Sequence, residues 1–230
     1  QFAAFDIDVA PTTADETAGW SGGRPFGITC AAIWMTSVQR PQVFFGARGK
    51  GGRPAPRMSR VEVRRLISYM ADLVARGYTL VSWNAMGLDW DILAAESGDR
   101  KTCRHLALRH VDMMFHIVCA RGHRLNFGKA AQGMGVTGRI SSRRPESLWP
   151  EGHFDAALGQ LCRDVQVTLD LAHKCQDTGR ICWTSRTGRE ACLPLPNGWL
   201  NVRNARHLPL PDVSGLESPE SRKALTAWMN

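Results

Sequence analysis

Two aspartates lie two positions apart inside an otherwise apolar stretch near the start of the chain, Phe2 to Val9. The stretch predicts a β-strand, and alternation along a strand places the carboxyl groups of Asp6 and Asp8 on the same face. Burying two like charges on one strand face is costly unless a cation neutralises them. Hard oxygen ligands suit Mg²⁺ or Mn²⁺, so a metal site is favoured over the alternative, a strand edge at which one aspartate is solvated.

A second group of polar residues follows a predicted strand in the middle of the chain. The pattern of Thr79 to Trp83 predicts that strand, and Asn84 and Asp89 come after it. The C-terminal end of a strand is where α/β sheets place their ligands. The alternative is a turn in which Asp89 is the N-cap of the next predicted helix, Asp89 to Glu96.

A further aspartate lies in a long predicted helix. Apolar residues at helical spacing predict a helix from Phe154 to Cys175, and Asp164 borders its buried face. The alternative is a surface aspartate paired with Arg163 or His173. The predicted acidic site therefore consists of four carboxylates, which are Asp6, Asp8, Asp89 and Asp164.

The order of the predicted elements indicates an α/β fold. Three predicted strands are typical of an antiparallel start to a sheet, namely Phe2 to Val9, Ile28 to Met35 and Gln42 to Phe45. Ser59 and Glu62 form a predicted capping box at the start of a helix, and the strand at Thr79 follows that helix. Because strand, long helix and strand are the βαβ signature, we expect a mixed central sheet flanked by helices.

The second half of the chain carries shorter predicted elements. Arg104 to Ala120 is apolar and fits either a strand or a helix, and Gly128 to Gly135 predicts a short helix. Ile181 to Leu195 predicts a hairpin with its turn at Arg186 to Gly188, and a Pro-rich tail follows. We therefore expect residues 1–178 to form one domain, on which residues 179–230 pack as a C-terminal hairpin and irregular extension.

The chain is basic, with a formal net charge of +8 and a pI of about 9.5. Such a surface favours polyanionic partners, of which nucleic acid is the commonest. A Gly-, Arg- and Pro-rich loop, Gly46 to Arg57, carries Arg48 and Lys50, which could track a phosphate backbone. A solvated loop is the alternative. A second basic cluster consists of Arg139, Arg143 and Arg144.

The cysteines and the apolar runs limit the class of protein. The chain has seven cysteines, an odd number, and no CxxC pair, which argues against a disulfide framework and against a zinc ribbon. No apolar run reaches the roughly 18 residues needed to cross a bilayer, and no signal peptide is visible. We therefore expect a cytoplasmic protein without a membrane partner, and Gln1 in place of Met is consistent with a trimmed chain.

Taken together, the acidic segments resemble the DEDD superfamily of 3′–5′ exonucleases, the proofreading branch of the ribonuclease-H-like fold. Phe5 to Asp8 is similar to the first motif of that family, normally Asp-x-Glu. Trp83 to Asp89 is similar to the second motif, an Asn, a short spacer and an aromatic-Asp pair, with Leu88 at the aromatic position. The helix around Asp164 resembles the third motif, in which an Asp-Val pair is followed by Thr. The resemblance covers roughly Phe2 to Lys174.

This resemblance implies a 3′–5′ exonuclease that hydrolyses phosphodiester bonds at single-stranded or frayed 3′ ends of DNA or RNA. It implies two Mg²⁺ or Mn²⁺ ions about 4 Å apart. Asp6 would bridge both ions, Asp8 and Asp164 would complete the site of the ion that activates water, and Asp89 would hold the other. Asn84 would fix the turn or touch the terminal nucleotide. The side chains near the site that could stack on a base are Trp83, Met86 and Trp90, with core packing as their alternative.

Two departures from the family pattern bear on activity. Asp8 stands where the family has Glu, which shortens one ligand arm by a methylene. The family also has a Tyr four residues, or a His five residues, before the last Asp, and Gln160 and Gly159 hold those positions here. Gln160 can hold a water by hydrogen bonds but cannot act as a general base near neutral pH. Catalysis is then weakened, relies on the metal ions alone, or is absent.

Three other functions are compatible with the same segments. The first is an impaired member of the fold that binds nucleic acid without cutting it, which the departure at Gln160 motivates. The second is a protein-interaction member whose basic surface faces a partner. The third is an endonuclease of the same superfamily, which differs from an exonuclease in cutting a circular substrate.

Overall fold

The computed structural model describes residues 1–10, 27–48, 52–137, 148–185 and 188–230. Its strands are β1 (Phe2–Val9), β2 (Ile28–Met35), β3 (Gln42–Phe45), β4 (Ala47–Arg48), β5 (Arg53–Pro54), β6 (Thr79–Ser82), β7 (Val111–Asp112), β8 (Arg180–Thr184) and β9 (Glu190–Pro194). Its helices are α1 (Arg60–Ala75), α2 (Asp89–Ser97), α3 (Arg100–Arg109), α4 (Met113–Arg121), α5 (Phe127–Gly133), α6 (Phe154–Thr178), α7 (Val202–Ala205) and α8 (Arg222–Leu225). Short 3₁₀ turns cover Ala85–Gly87 and Ala227–Met229.

The central sheet is mixed and has five strands in the order β3-β2-β1-β6-β7. Strand β1 runs antiparallel to β2 and parallel to β6, and β6 runs parallel to β7. The C-terminal ends of β1, β6 and β7 therefore meet at one edge of the sheet, which we call the carboxyl edge. The predicted α/β fold with a mixed sheet flanked by helices is confirmed.

Each face of the sheet carries its own apolar cluster. Phe5 and Ile7 of β1 point to the side of α1 and α2, whereas Ala4 points to the side of α6. Because side chains alternate along a strand, Asp6 and Asp8 share the face of Ala4. The same-face prediction for the two aspartates is thus confirmed, and α6 is the helix that covers them.

Helix α1 begins with the predicted capping box. The backbone N–H of Ser59 donates to Glu62 Oε2 at 2.6 Å, and the backbone N–H of Glu62 donates to Ser59 Oγ at 3.4 Å. The box satisfies backbone donors that have no partner within the first turn. The helix ends at Ala75, two residues before Gly77, which has a φ of 89°.

The segment that fitted either a strand or a helix contains both. It comprises α3, the two-residue strand β7 and α4. Asp112 ends β7 and at the same time caps α4, because its side chain accepts the backbone N–H of Phe115. Three short buried elements in succession have no single periodicity, which is why the sequence pattern was ambiguous there.

The C-terminal segment forms the predicted hairpin, β8 and β9, and its residues enter both apolar clusters. Cys182 lies directly opposite Cys192 and the two are joined in a disulfide, a pairing that the odd number of cysteines did not indicate. The turn residues Arg186 and Thr187 lie outside the described residues. The expected irregular extension contains the short helices α7 and α8. No helix within the described ranges is long and apolar enough to cross a membrane.

Candidate functional site

A pocket of about 200 Å³ opens between β1 and α6. Its lining includes two of the four predicted carboxylates, Asp6 from the strand and Asp164 from the helix. The other residues that line it are Phe5, Trp83, Phe127 and Thr168. Strand β1 and helix α6 pack against each other, so residues that are far apart in the sequence meet here.

Small residues beside β1 leave room for its aspartates. Asp6 lies opposite Ala32 and Asp8 lies opposite Cys30 on the neighbouring strand β2. Asp8 is 6% exposed, and Asp6 is partly exposed. The backbone N–H of Ile7 donates to Asp6 Oδ1 at 3.0 Å. The carboxyl groups therefore point into a space that larger β2 side chains would fill.

Asp164, which lines this pocket, has a buried carboxylate oxygen without a partner in the part of the chain that the structure describes. Its Oδ1 atom is inaccessible to water and accepts no hydrogen bond from any of the described residues. A buried acceptor without a partner is costly, and such atoms are rare in folded proteins. A cation beside Asp6 and Asp164 would give such an oxygen a partner.

Asp89 reaches the same area from the turn after β6. It is the first residue of α2 and is 9% exposed. The turn before it begins at Asn84, whose φ of 69° lies in the left-handed region. A Cβ on Gly87 would lie 2.7 Å from Asn84 Oδ1, so a larger residue there would displace the Asn84 side chain. Of the two roles predicted for Asn84, the structure shows it shaping the turn.

Asp112 is a buried carboxylate that the sequence reasoning missed. It is 1% exposed and accepts three backbone N–H groups, those of Asn84 at 2.9 Å, Met86 at 2.7 Å and Phe115 at 2.9 Å. Asp112 thereby fixes the turn that leads to Asp89. The one signal in the sequence was an aspartate at the start of an apolar helical segment, which is typical of an N-cap.

Burial and mutual repulsion make these carboxylates weak acids. Burial, together with the nearby charges of Asp164 and Asp8, raises the pKa of Asp6 to about 8, against the lowering effect of the Ile7 N–H. Burial also raises the pKa of Asp164 to about 6, against the lowering effect of Arg163. Burial, then Asp6 and Asp112, raise the pKa of Asp89. Asp6 thus interacts electrostatically with Asp8, Asp89 and Asp164.

The donor set fits a hard divalent cation in chemistry, since carboxylate oxygens are the ligands that Mg²⁺ and Mn²⁺ prefer. The orphaned Oδ1 of Asp164 supports the same fit. In the described part of the chain, however, no three of the four carboxylates bring one oxygen each within 4.8 Å of one another. Cation binding therefore requires these side chains to move closer together. No protein-family model matches the chain, and no curated protein matches it either.

Three predicted contacts with a base have different outcomes. Trp83 lines the pocket and packs against Phe127 with ring centroids 5.2 Å apart, so it remains a candidate. Met86 is 1% exposed, and Trp90 is fully buried against Phe5 and His110. The expectation that Met86 or Trp90 could stack on a base is therefore wrong, and both belong to the core. The pattern of Trp83 to Trp90 could not separate exposed from buried rings.

The residue predicted to hold the attacking water does not line the pocket. Gln160 is 4% exposed and is not among the described residues that line the pocket, which corrects its assignment as a residue that holds the attacking water. Thr168 lies one turn after Asp164 and lines the pocket instead.

Of the basic residues predicted to contact phosphate, Arg48 is exposed on β4. Lys50 and the cluster at Arg139, Arg143 and Arg144 lie outside the described residues.

The carboxylate pKa values predict how the metal-free protein responds to pH. A folded pKa of about 8 for Asp6, against 3.8 for the free group, means that the folded state holds a proton which the unfolded state has lost. This contribution to stability is complete below pH 3.8 and disappears as the pH rises through 8. Burial lowers the pKa of His110 and His116 to about 4, and these groups act with the opposite sign below pH 6.5. Burial raises the pKa of four thiols from 9.0 to about 12, and near pH 9 these act with the same sign as Asp6; they are Cys30, Cys103, Cys119 and Cys175. The effect of Asp6 is therefore best isolated between pH 7 and 8.

Between pH 7 and 8 we expect the metal-free protein to lose about 1 kcal/mol of stability, or about 2–4 °C in Tm. Thermal unfolding in EDTA at each pH measures this. Asp6→Asn should flatten the profile, because the amide does not ionise. A wild-type Tm that is constant or rises over this range would contradict the assigned environment of Asp6.

Proposed function

We propose that the protein is a divalent-metal-dependent nuclease of the DEDD exonuclease type, which hydrolyses phosphodiester bonds at single-stranded 3′ ends of DNA or RNA. The observation that carries this proposal is the pocket in which Asp6 and Asp164 meet. Both have raised pKa values, and Asp6 interacts electrostatically with Asp8 and Asp89 as well. A cation that neutralises this cluster would remove the cost of burying it.

The sheet is compatible with the fold that this family uses. Three antiparallel strands, β1 to β3, are extended on the other side of β1 by two strands parallel to it, β6 and β7. This order and these directions of the strands are compatible with a ribonuclease-H-like fold, which is part of the proposal. The candidate site also lies where such sheets place ligands, towards the C-terminal ends of the parallel strands.

A basic hairpin begins at the same edge. Asp8 pairs with Cys30 across β1 and β2, and Cys30 pairs with Phe45 across β2 and β3. The hairpin of β4 and β5 follows Phe45 directly and carries the exposed Arg48 opposite Arg53. This placement supports contact between the hairpin and the phosphate backbone of a strand whose end lies in the pocket.

The residues of the pocket account for parts of the chemistry. When bound, two divalent cations held by Asp6, Asp8, Asp89 and Asp164 supply the positive charge that activates water and neutralises the leaving oxygen. Trp83 and Phe127 provide an apolar wall against which a terminal base can stack. The Thr168 hydroxyl can donate a hydrogen bond to a phosphate oxygen.

One observation favours a second candidate, an impaired member of the same fold that binds nucleic acid without cutting it. Gln160 takes the family's Tyr position and is buried, so it cannot act as a general base in the pocket. The wide spacing of the carboxylates also favours weak cation binding. The two candidates share the nucleic-acid partner and differ in turnover.

The deciding experiment incubates the protein with 5′-labelled single-stranded DNA and RNA in Mn²⁺, in Mg²⁺ and in EDTA. We expect products that shorten stepwise from the 3′ end with either metal and no products in EDTA. Circular single-stranded DNA should stay intact, whereas its cleavage would indicate an endonuclease. Binding without degradation favours the second candidate, and absence of both binding and degradation contradicts the nucleic-acid function altogether.

A further inference from the structure

Arg124 is held beside the candidate site by two side chains from distant parts of the chain. It lies between α4 and α5, and its side chain is 44% exposed. Its Nε donates to Glu220 Oε1 at 2.7 Å, and its Nη1 donates to Asn84 Oδ1 at 3.4 Å. Asn84 begins the turn that leads to Asp89, so the guanidinium lies next to that turn.

The C-terminal segment fixes the Glu220 end of this arrangement. The backbone N–H of Glu220 donates to the carbonyl of Gly122 at 2.8 Å. Arg222 donates from Nη2 to the carbonyl of Cys119 at 2.8 Å, which ties α8 to α4. The partner of Arg124 is therefore itself held by backbone contacts between the C-terminal segment and the end of α4.

The same short segment also supplies a wall of the pocket. Phe127, three residues after Arg124, lines the pocket and packs on Trp83. Residues Arg124 to Phe127 thus place a cation and an aromatic ring at one side of the site. A nucleotide presents the complementary pair, an anionic phosphate and a flat base.

We propose that Arg124 binds a phosphate group of the nucleic-acid strand whose end occupies the pocket, an inference that rests on the proposed nuclease function. Glu220 and Asn84 engage Nε and Nη1, and Nη2 donates to none of the described residues. A guanidinium offers five N–H donors in a planar fork that suits phosphate oxygens. Glu220 offsets part of the charge of Arg124 but holds its Nε, and the side chain is 44% exposed, so a ligand can reach the guanidinium.

The test compares three variants in steady-state degradation of single-stranded DNA with Mn²⁺. Arg124→Ala should raise KM about tenfold and change kcat less than about threefold, because a charge-assisted hydrogen bond to substrate is lost in the ground state and in the transition state alike. The slope of log KM against log salt concentration should decrease by about one, which corresponds to the loss of one phosphate contact. Arg124→Lys, which keeps the charge but loses the fork, should raise KM about threefold.

The matched control is Arg104→Ala, which removes an exposed arginine from the middle of α3, away from the carboxyl edge. It should behave as wild type in KM, kcat and salt slope. If Arg124→Ala keeps the wild-type KM and salt slope while the wild type degrades DNA, this inference is overturned and the nuclease proposal stands. If the wild type neither binds labelled DNA nor degrades it, the proposed function fails, and the role of Arg124 fails with it.

Discussion

Replacing Asp6 with Asn is expected to lower Mn²⁺-dependent cleavage at least about a thousandfold and to leave the fold intact. Asp6 interacts electrostatically with each of the other three carboxylates of the cluster, Asp8, Asp89 and Asp164. The amide keeps an oxygen in place but removes the charge of the carboxylate. In the metal-free protein the carboxyl group of Asp6, with a pKa of about 8, is already mostly neutral at pH 7, so the variant resembles the resting state.

The comparison needs a second Asp→Asn change that lies away from the site. Asp177 is exposed near the end of α6, more than three turns after Asp164 on the same helix. Asp177→Asn should cleave at the wild-type rate. Circular dichroism and thermal unfolding in EDTA should show that both variants are folded, with Asp6→Asn at least as stable as wild type at pH 8. Wild-type cleavage by Asp6→Asn would show that the cluster is not catalytic.

The parts of the fold that could be predicted are those whose cause is local. Strand β1 follows from alternation and the start of α1 follows from a capping box. The bounds of β1 and the first residue of α1 agree with the sequence. The convergence of Asp6 and Asp164 is not local, and the residues alone give no distance between them. Motif order along the chain provided that expectation, and the pocket that both residues line now supports it.

The parts that could not be predicted depend on pairing between distant segments. The disulfide exists because β8 and β9 place Cys182 opposite Cys192, and that register cannot be deduced from an odd number of cysteines. Trp83 and Trp90 lie in one continuous segment, yet only the packing of α2 on the sheet decides that Trp90 is buried. Arg124 gains its place through Glu220, almost a hundred residues later in the chain.

The contacts of Asp112 with the turn after β6 are the strongest case of a role that the sequence does not reveal. Replacing Asp112 with Ala is expected to destabilise the protein by about 3–5 kcal/mol, because three backbone N–H groups lose their acceptor and each unsatisfied buried donor costs about 1–3 kcal/mol. Two of these donors, Asn84 and Met86, belong to a turn far away in the chain. A loss of this size is a large part of the 5–15 kcal/mol that is typical of a folded domain. Urea unfolding measures it.

The control for Asp112→Ala is Asp99→Ala, which removes an N-cap of the same chemical type from α3. The Asp99 side chain accepts one backbone N–H, that of Thr102, at 3.1 Å, so its loss should cost about 1 kcal/mol. The difference between the two variants measures what Asp112 contributes to the turn between Asn84 and Asp89. Asp112→Ala should also weaken cleavage beyond its effect on stability, because that turn positions Asp89. Equal losses of stability in the two variants would show that Asp112 acts as a helix cap and nothing more.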